Sequence, residues 1–226
     1  MLTRLIFSTG VVVTFASSAV AAPIDVTFDF DTSNPDSFTT GATGGGSATD
    51  SDTGETLTFT VGYFNNNTNA EDSSISSLAL GNNNNGGGVN TPGLGGNSGT
   101  ELESQIGTGN NAGAGSDEFI EFVFPKETTL VSIQFFGLGN PERFTYSVDG
   151  GAAVTVVGTD LTGELLEFPA STTVNPGGTL RITAIDQEAG GETLIRLQDL
   201  NVQIVPEPGS AAALGLVGLV GLRRRR

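Results

Sequence analysis

Apolar and polar residues alternate along much of the chain between residues 23 and 205. A period of two is typical of a β-strand with one buried face. Six runs show this alternation, and each begins and ends on a residue that we expect to face the core. They are 24–30, 57–61, 120–124, 131–135, 144–148 and 180–184. A further run covers residues 195–204. Its apolar parity changes between Leu197 and Leu200, which predicts a β-bulge near Gln198 and Asp199.

Turn sequences separate these runs. They are Asn140-Pro141, Asp149-Gly150-Gly151, Asn175-Pro176-Gly177-Gly178 and Gly190-Gly191. A spacing of roughly 8 to 12 residues predicts about nine to eleven short strands, and the lack of a 3.6-residue apolar stripe predicts few, short helices. We therefore expect residues 23–205 to form one all-β domain, a jelly-roll-like antiparallel β-sandwich. An immunoglobulin-like arrangement is the alternative.

The first 22 residues differ from this pattern. Arg4 is followed by an uncharged stretch from Leu5 to Val20, and Ala19-Val20-Ala21 follows the small-x-small rule of a cleavage site. A positive start, an apolar centre and small residues at the end define a secretory signal peptide. We predict a signal peptide over residues 1–22, cut after Ala21 or Ala22, rather than a buried N-terminal element.

The last 21 residues form a second distinct segment. An uncharged run over 209–222 would span about 21 Å as a helix, against about 30 Å for the bilayer core. This predicts a short transmembrane helix whose basic end stays inside the cell. The residues that flank it are Pro206, Glu207 and Pro208 before the run and Arg223, Arg224, Arg225 and Arg226 after it.

In its order of parts this tail resembles the PEP-CTERM sorting signal of exopolysaccharide-producing Gram-negative bacteria. The resemblance implies that an exosortase-type membrane protease is a partner, with transient inner-membrane anchoring and cleavage near Pro206 to Pro208. The product would reach the cell surface or extracellular matrix of a biofilm. A looser resemblance, carried by Gly93-Leu94-Gly95 and the strand opened by Glu118, is to exported PEP-CTERM β-sandwich domains. An ordinary C-terminal anchor with a basic flank is the alternative.

Composition narrows the chemistry. The chain has no cysteine, histidine or tryptophan, and its 9 basic and 25 acidic residues give a net charge of -16. Disulfides, Ser-His-Asp or Cys-His nucleophile systems and the usual zinc ligand sets are therefore excluded. The negative field disfavours nucleic acid as a partner.

Residues 81–115 are rich in glycine and asparagine, with 20 of the 35 residues of these two types. Such a composition buries too little apolar area to order itself, so we expect a long irregular loop with Leu94, Leu102 and Ile106 as candidate anchors. It is either a freely mobile loop or a loop held in place by something else.

Calcium is the one cofactor for which the chain carries candidate ligands, because Asp, Asn and carbonyl oxygens in glycine-rich loops suit a hard cation. Asp50 and Asp52 precede a glycine at alternate positions, and Asp117 enters a strand where the folded loop would bring Asn97. Solvated acidic loops are the plainer explanation for both places and stay open.

Glu118 shares its parity with Ile120, so we expect it to point into the core. A buried charge needs a partner, and we predict a structural ion pair with Arg143, Arg181 or Arg196. Glu121 has the opposite parity, so these two carboxylates cannot face one another across a substrate.

These observations favour an exported, noncatalytic surface or matrix protein, sorted by an exosortase-type system and associated with exopolysaccharide. A calcium-dependent carbohydrate-binding module is the first alternative, with Phe38, Phe64, Phe136 and Tyr63 as the available aromatics. A carboxylate-dependent glycosidase or lyase is the second, and it would need acidic side chains from different strands to converge.

Overall fold

The structure is a computed structural model. It describes residues 22–30, 37–38, 44–65, 70–74, 76–80, 87–90, 106–109, 116–138, 142–185 and 193–206. Pro23–Val205 form one compact unit. The predicted signal peptide before Ala22 and the sorting tail after Pro206 lie outside the described residues. In the part of the chain that is described, no helix is long and apolar enough to cross a membrane.

The described elements are almost all β-strands. In chain order they are β1 (Ile24–Asp29), β2 (Ser37–Phe38), β3 (Gly45–Thr49), β4 (Thr56–Asn65), β5 (Ala70–Asp72), β6 (Ser77–Leu80), β7 (Gly87–Asn90), β8 (Ile106–Gly109), β9 (Ser116–Val123), β10 (Thr128–Phe136), β11 (Arg143–Val148), β12 (Val154–Val157), β13 (Leu165–Glu167), β14 (Thr173–Val174), β15 (Thr179–Ile185) and β16 (Leu194–Ile204). One 3-10 helix spans Gly158–Asp160. The prediction of nine to eleven strands was too low, because strands of two to four residues are too short to show a period.

The strands pair antiparallel in two sheets. In the first sheet, β16 lies between β10 on one side and β1 and β7 on the other, and β10 also pairs with β13 and β14. In the second sheet the order is β12, β11, β15, β9, β4, β3 and β2, with β5 beside the end of β4. Strand β8 pairs with both β9 and β16 and so joins the two sheets.

The core lies between the inner faces of the two sheets. Phe30, just after β1, packs on Phe122 of β9 with 5.6 Å between ring centres, and Phe135 of β10 packs on Phe144 of β11 at 4.6 Å. Each pair joins one sheet to the other, which is the packing of a β-sandwich. The predicted all-β sandwich is confirmed.

The two β-bulges decide which residues face the core. The bulge predicted near Gln198 is confirmed, since Phe135 pairs with Leu197 while Gln134 pairs with Asp199. A second register shift lies between Leu130 and Ser132. It turns Val131 outward, to 42% exposure, and places Leu130 in the core. The prediction that Val131 faces the core was wrong because an extra residue in one strand reverses the alternation there.

Two of the predicted turns have the backbone that their sequences favour. Asp149 and Gly150 both have positive φ, 51° and 66°, between β11 and β12. This pair of left-handed residues suits the twist of a two-residue hairpin. At Asn175 to Gly178, the Gly178 N–H donates to the Asn175 carbonyl at 2.8 Å, and Gly177 has φ 81°.

Within the glycine- and asparagine-rich segment 81–115, the structure describes β7 and β8. Ile106, one of the three predicted anchors, is fully buried in the core. Leu94 and Leu102 lie outside the described residues. The segment therefore contributes at least one residue to the core, as the prediction of Ile106 as an anchor requires, and it forms two short strands.

Candidate functional site

Asp50, the first predicted calcium ligand, occupies the turn between β3 and β4. It is only 5% exposed, and its Oδ1 accepts hydrogen bonds from the Thr53 N–H and the Thr53 hydroxyl, both at 2.6 Å. Its backbone closes the turn as well, because the Asp50 carbonyl accepts from Gly54 N–H and its N–H donates to Glu55. These contacts give this carboxylate a structural role in the hairpin.

The same turn is fastened to its neighbour by an ion pair. The ammonium of Lys126, the single lysine of the chain, lies 2.8 Å from both carboxylate oxygens of Glu55. Lys126 sits between β9 and β10, so the pair joins two turns at one end of the sandwich. The Glu55 carboxylate therefore already forms an ion pair with a cationic side chain of the protein.

The other predicted calcium ligands are placed as follows. Asp52 is exposed in the turn beside Asp50, and Asn97 lies outside the described residues. Asp117 opens β9, opposite Phe64 of β4 and Thr108 of β8. Thr56, next to the Asp50 turn, begins β4, and Phe64 is near its other end, so the structure places Asp50 and Asp117 at opposite ends of the second sheet. Among the described residues, no group of three acidic side chains could hold a metal ion.

Among the described residues, the carboxylates that a hydrolase or lyase could use are placed apart. Glu118 is 8% exposed on the inner side of β9, which confirms its predicted direction. Glu121 lies on the outer side, opposite Arg181. Glu164 is in a turn with φ 62°, where its Oε2 accepts from the Gly137 N–H at 3.1 Å, and Glu167 is exposed in β13. Glu101 and Glu103 lie outside the described residues.

Arg181, one of the three predicted partners of Glu118, makes different contacts. Its Nη2 lies 2.7 Å from Oε1 of Glu71 in β5. Because Arg181 pairs with Glu121 across the strands, it stands on the outer face, opposite in direction to Glu118. The ion pair predicted for Glu118 with Arg143 or Arg196 stays a prediction.

The outer face of the second sheet carries a buried aromatic ring, with its covering side chains, that the alternation does not predict. Phe119 points outward from β9 and is nevertheless 3% exposed. The Cζ of Arg181 lies 3.7 Å from the centre of its ring, within the range of a cation–π contact. On β4, Gly62 faces Phe119 directly, and a Cβ there would come within 2.9 Å of the ring. The ring is thus held between a glycine and a guanidinium.

Beside this cluster, Tyr63 and Asp72 face each other across β4 and β5. The Tyr63 hydroxyl donates to Asp72 at 3.5 Å, and the Ser74 N–H donates to Asp72 at 2.7 Å. Burial and the nearby Asp72 carboxylate raise the pKa of Tyr63. Hydrogen bonds from Ser74 lower the pKa of Asp72. The Tyr63 contact joins β5 to β4, whereas the Ser74 bond is local to the end of β5.

Most of the remaining outward side chains of the second sheet are hydroxyls. They are Ser47, Thr49, Thr56, Thr58, Thr60, Thr145, Ser147, Thr155, Thr179 and Thr183. Threonine favours strands, and its hydroxyl donates and accepts hydrogen bonds without a charge. The face is therefore rich in uncharged hydrogen-bonding groups.

The outer face of the first sheet is a ladder of polar side chains. Asn201, in the central strand β16, accepts from the Thr27 hydroxyl at 2.7 Å on one side and donates to Ser132 at 3.2 Å on the other. One step along the same strands, Gln203 donates to Asp25 at 2.9 Å. These bonds cross β1, β16 and β10.

At the far end of this face lies an exposed aromatic side chain. Phe136 is 37% exposed, and the Cζ of Arg196 lies 5.7 Å from its ring centre. Among the described residues, the buried Nε of Arg196 has no hydrogen-bond partner. Of the four aromatics considered for a ligand platform, Phe136 is the only one among the exposed large apolar residues of the described part of the chain.

The predicted sorting residues are represented by Pro206 alone, which follows β16. Glu207, Pro208 and Arg223 to Arg226 lie outside the described residues. No family model, no curated protein and no solved structure matches this chain.

Sequence analysis missed the Arg181–Glu71 pair and the burial of Phe119. Phe119 is an apolar residue between Glu118 and Ile120 and so breaks the alternation. This break was the signal in the sequence from which its burial could have been predicted. Its partners could not be predicted because Gly62, Glu71 and Arg181 are far apart in sequence.

Proposed function

We propose that this chain is an exported, noncatalytic surface or matrix protein, sorted by an exosortase-type protease and associated with exopolysaccharide. The observation that carries the proposal is the order of parts in the tail: Pro206-Glu207-Pro208, an uncharged run, then four arginines. The run is too short for a comfortable permanent span, which favours transient inner-membrane anchoring before cleavage.

The compact unit Pro23–Val205 suits such a route. It is an all-β sandwich without cysteine, so it needs no disulfide chemistry after export. We assign it a jelly-roll-like topology as part of the proposal. The pairing of the first strand, β1, with the last, β16, supports this, because a Greek key returns its last strand beside its first.

A noncatalytic role is supported by how the described carboxylates are used. Asp50 caps a turn, Glu55 pairs with Lys126, and Glu71 pairs with Arg181. A glycosidase or lyase needs two acidic groups facing one substrate. These three carboxylates instead stabilise a turn, a contact between turns and a contact between strands.

The sorting route can be tested in a bacterium that makes an exosortase-type protease. We would replace Pro206-Glu207-Pro208 by three alanines and follow the protein in membrane, surface and medium fractions by intact mass. The natural chain is expected at the surface or in the medium, shortened near Pro206 and without its four arginines. The variant is expected to stay in the membrane fraction at its uncut mass. Glu127→Gln, an exposed carboxylate in the sandwich, is the matched control.

A natural chain that keeps its arginines in every fraction would contradict the sorting proposal. An alanine variant that is still cut and released would contradict the role of the Pro-Glu-Pro motif.

A carbohydrate-binding function is the second candidate, and the exposed ring of Phe136 beside Arg196 favours it. Sugars stack on aromatic faces, and a guanidinium donates hydrogen bonds to hydroxyl or carboxylate groups. The calcium dependence first considered for this function has less support, because Oδ1 of Asp50 already accepts two hydrogen bonds from Thr53.

Binding of the unit 23–205 to the producing organism's own exopolysaccharide, in calcium and in chelator, tests this function. Phe136→Ala is expected to weaken binding at least tenfold, whereas Val131→Ala, at another exposed apolar position of the same sheet, should leave it unchanged. Binding that is lost in chelator would show that calcium takes part. Equal binding by both variants would remove Phe136 from the site.

A further inference from the structure

The outer edge of the second sheet is formed by β12. Among the described strands it pairs only with β11, in the register Phe144–Val156 and Tyr146–Val154. Just beyond the strand, the Gly158 N–H donates to the Glu142 carbonyl at 2.9 Å. Hydrogen-bonded and non-bonded pairs alternate in an antiparallel ladder, so Val154 and Val156 bond to β11. The N–H and C=O groups of Thr155 and Val157 therefore point to the free edge.

This edge is exposed and apolar. Residues 152 to 155 are all exposed, and Val154 is 46% exposed, the largest value among the exposed large apolar residues of the described chain. The alanine, valine and threonine side chains at these positions are small, so another strand can approach the edge closely. A free edge of this kind is a template for pairing with another strand.

The edge also lacks charge. No charged residue occurs from Gly150 to Thr159, between Asp149 and Asp160. Three other strands with a single described partner carry carboxylates, namely Asp25 in β1, Glu71 in β5 and Glu167 in β13. The uncharged strands β2, β6 and β14 have two to four residues, and of the uncharged strands with a single described partner only β12 carries one of the exposed large apolar residues of the described chain. Two copies of a chain with net charge -16 repel each other, and this repulsion is smallest where neither copy presents a carboxylate.

We infer that β12 is a docking edge for a second copy of this chain, which pairs antiparallel with β12 of the first about a two-fold axis at Val156. Thr155 of each copy then faces Val157 of the other. The outward N–H and C=O groups of these residues meet as hydrogen-bonded pairs, while Val156 meets its own counterpart. The two second sheets become one continuous sheet across the axis.

The position of the outward groups also fits a second copy of the chain. Thr155 and Val157 lie at equal distances on either side of Val156, so the edge is complementary to itself, as an isologous interface requires. A contact four residues long buries less than the roughly 1,200 Å² of a stable interface. The association is therefore weak and appears at high local concentration. It does not depend on the proposed sorting route or on polysaccharide binding.

The experiment uses the unit 23–205, whose strands and core are complete within it. Sedimentation velocity from about 10 μM to about 1 mM would be combined with amide hydrogen exchange read residue by residue. With rising concentration, the mean sedimentation coefficient is expected to move towards that of a dimer. The Thr155 and Val157 amides should gain protection together, while those of Val154 and Val156 are protected at every concentration.

Two variants remove the contact in different ways. Thr155→Pro deletes an N–H that points away from β11, the one described partner of this strand, and proline is tolerated on the free side of an edge strand. Thr155→Glu brings two carboxylates together across the axis. Each is expected to weaken association at least tenfold. Thr58→Glu is the matched control, because Thr58 is an exposed threonine in the central strand β4, and it should associate like the natural unit.

Three results would overturn the inference. One is a natural unit that stays monomeric at about 1 mM, where an interface of this kind should be populated. Another is association that persists in Thr155→Glu. The third is an equal loss in Thr58→Glu and Thr155→Glu, which would point to general charge repulsion.

Discussion

The outer faces of the two sheets are built from the same alternation of side chains but are stabilised differently. On the first sheet, Thr27, Asn201 and Ser132 form hydrogen bonds across three strands. On the second, Phe119 is buried under Arg181, which pairs with Glu71. A solvent-facing side of a sandwich can thus hold a small apolar cluster if a long cationic side chain covers it.

The largest effect should come from comparing Phe122 with Phe119, two residues of β9 that face opposite ways. Phe122→Ala removes a fully buried core ring that contacts Phe30, and we expect a loss of about 3–5 kcal/mol in the free energy of unfolding. Phe119→Ala leaves a gap that Arg181 can partly fill, so its loss should be smaller. Urea unfolding of both variants measures the difference. Equal losses would show that the outer cluster is as integral as the core.

Gly62→Val tests the close approach on the second sheet. A Cβ at Gly62 would lie 2.8 Å from the Asp72 carbonyl oxygen and 2.9 Å from the Phe119 ring, so we expect a loss of about 1–3 kcal/mol. Thr60→Val, on the same strand and face, is the matched control and should change stability little. Thermal unfolding of both is the measurement. A Gly62→Val variant as stable as the control would contradict the tight stacking of Phe119.

Arg181→Met removes the guanidinium but keeps an unbranched apolar side chain, so it tests the contribution of the guanidinium apart from the packing of the stem. We expect a loss of about 1 kcal/mol, since both the ring contact and a partly exposed ion pair are removed. Glu71→Gln removes only the ion pair and should cost less, with a dependence on salt. Unfolding at low and high salt distinguishes the two. If Glu71→Gln costs as much as Arg181→Met, the ring contact contributes nothing.

The ladder of the first sheet can be examined by a double-mutant cycle of Thr27→Val and Asn201→Ala. Each exposed hydrogen bond should contribute about 0.5–1 kcal/mol, and the two changes should not be additive because they share one bond. Strict additivity in chemical denaturation would mean that the bond does not stabilise the fold.

The smallest effect is the acid dependence of the hydrogen bonds of Asp72, at the end of β5. Hydrogen bonds from Ser74 hold the pKa of Asp72 below its ordinary value of 3.8. A lowered pKa in the folded state means that the contribution is present above that ordinary value and is lost as the pH falls through the folded pKa. Titration of the Asp72 carboxyl carbon by NMR measures it. Ser74→Ala removes the hydroxyl hydrogen bond to Asp72 and keeps the backbone one, so it should raise the pKa part of the way towards 3.8. An unchanged value would reject the hydroxyl as a cause.

Much of the fold followed from local pattern. The apolar parity placed Phe122, Ile182 and Leu200 correctly in the core and located the bulge near Gln198. The pattern failed at Val131, because a second bulge leaves no mark in a run that is apolar at neighbouring positions. Of the candidate site residues, the inward direction of Glu118 was predicted, whereas the hydrogen bonds of Asp50 within its turn were not.

The sequence by itself determined the class of fold, the charge and the excluded chemistry. Alternation and turn residues are properties of short segments, and charge and composition are totals over the whole chain, so neither depends on which distant residues meet. Only the tertiary structure decided which distant residues meet: Arg181 with Glu71 and Phe119, Lys126 with Glu55, and the free edge of β12. Such contacts depend on strand order and register, which join residues far apart in the chain, and short-range periodicity contains no information about them.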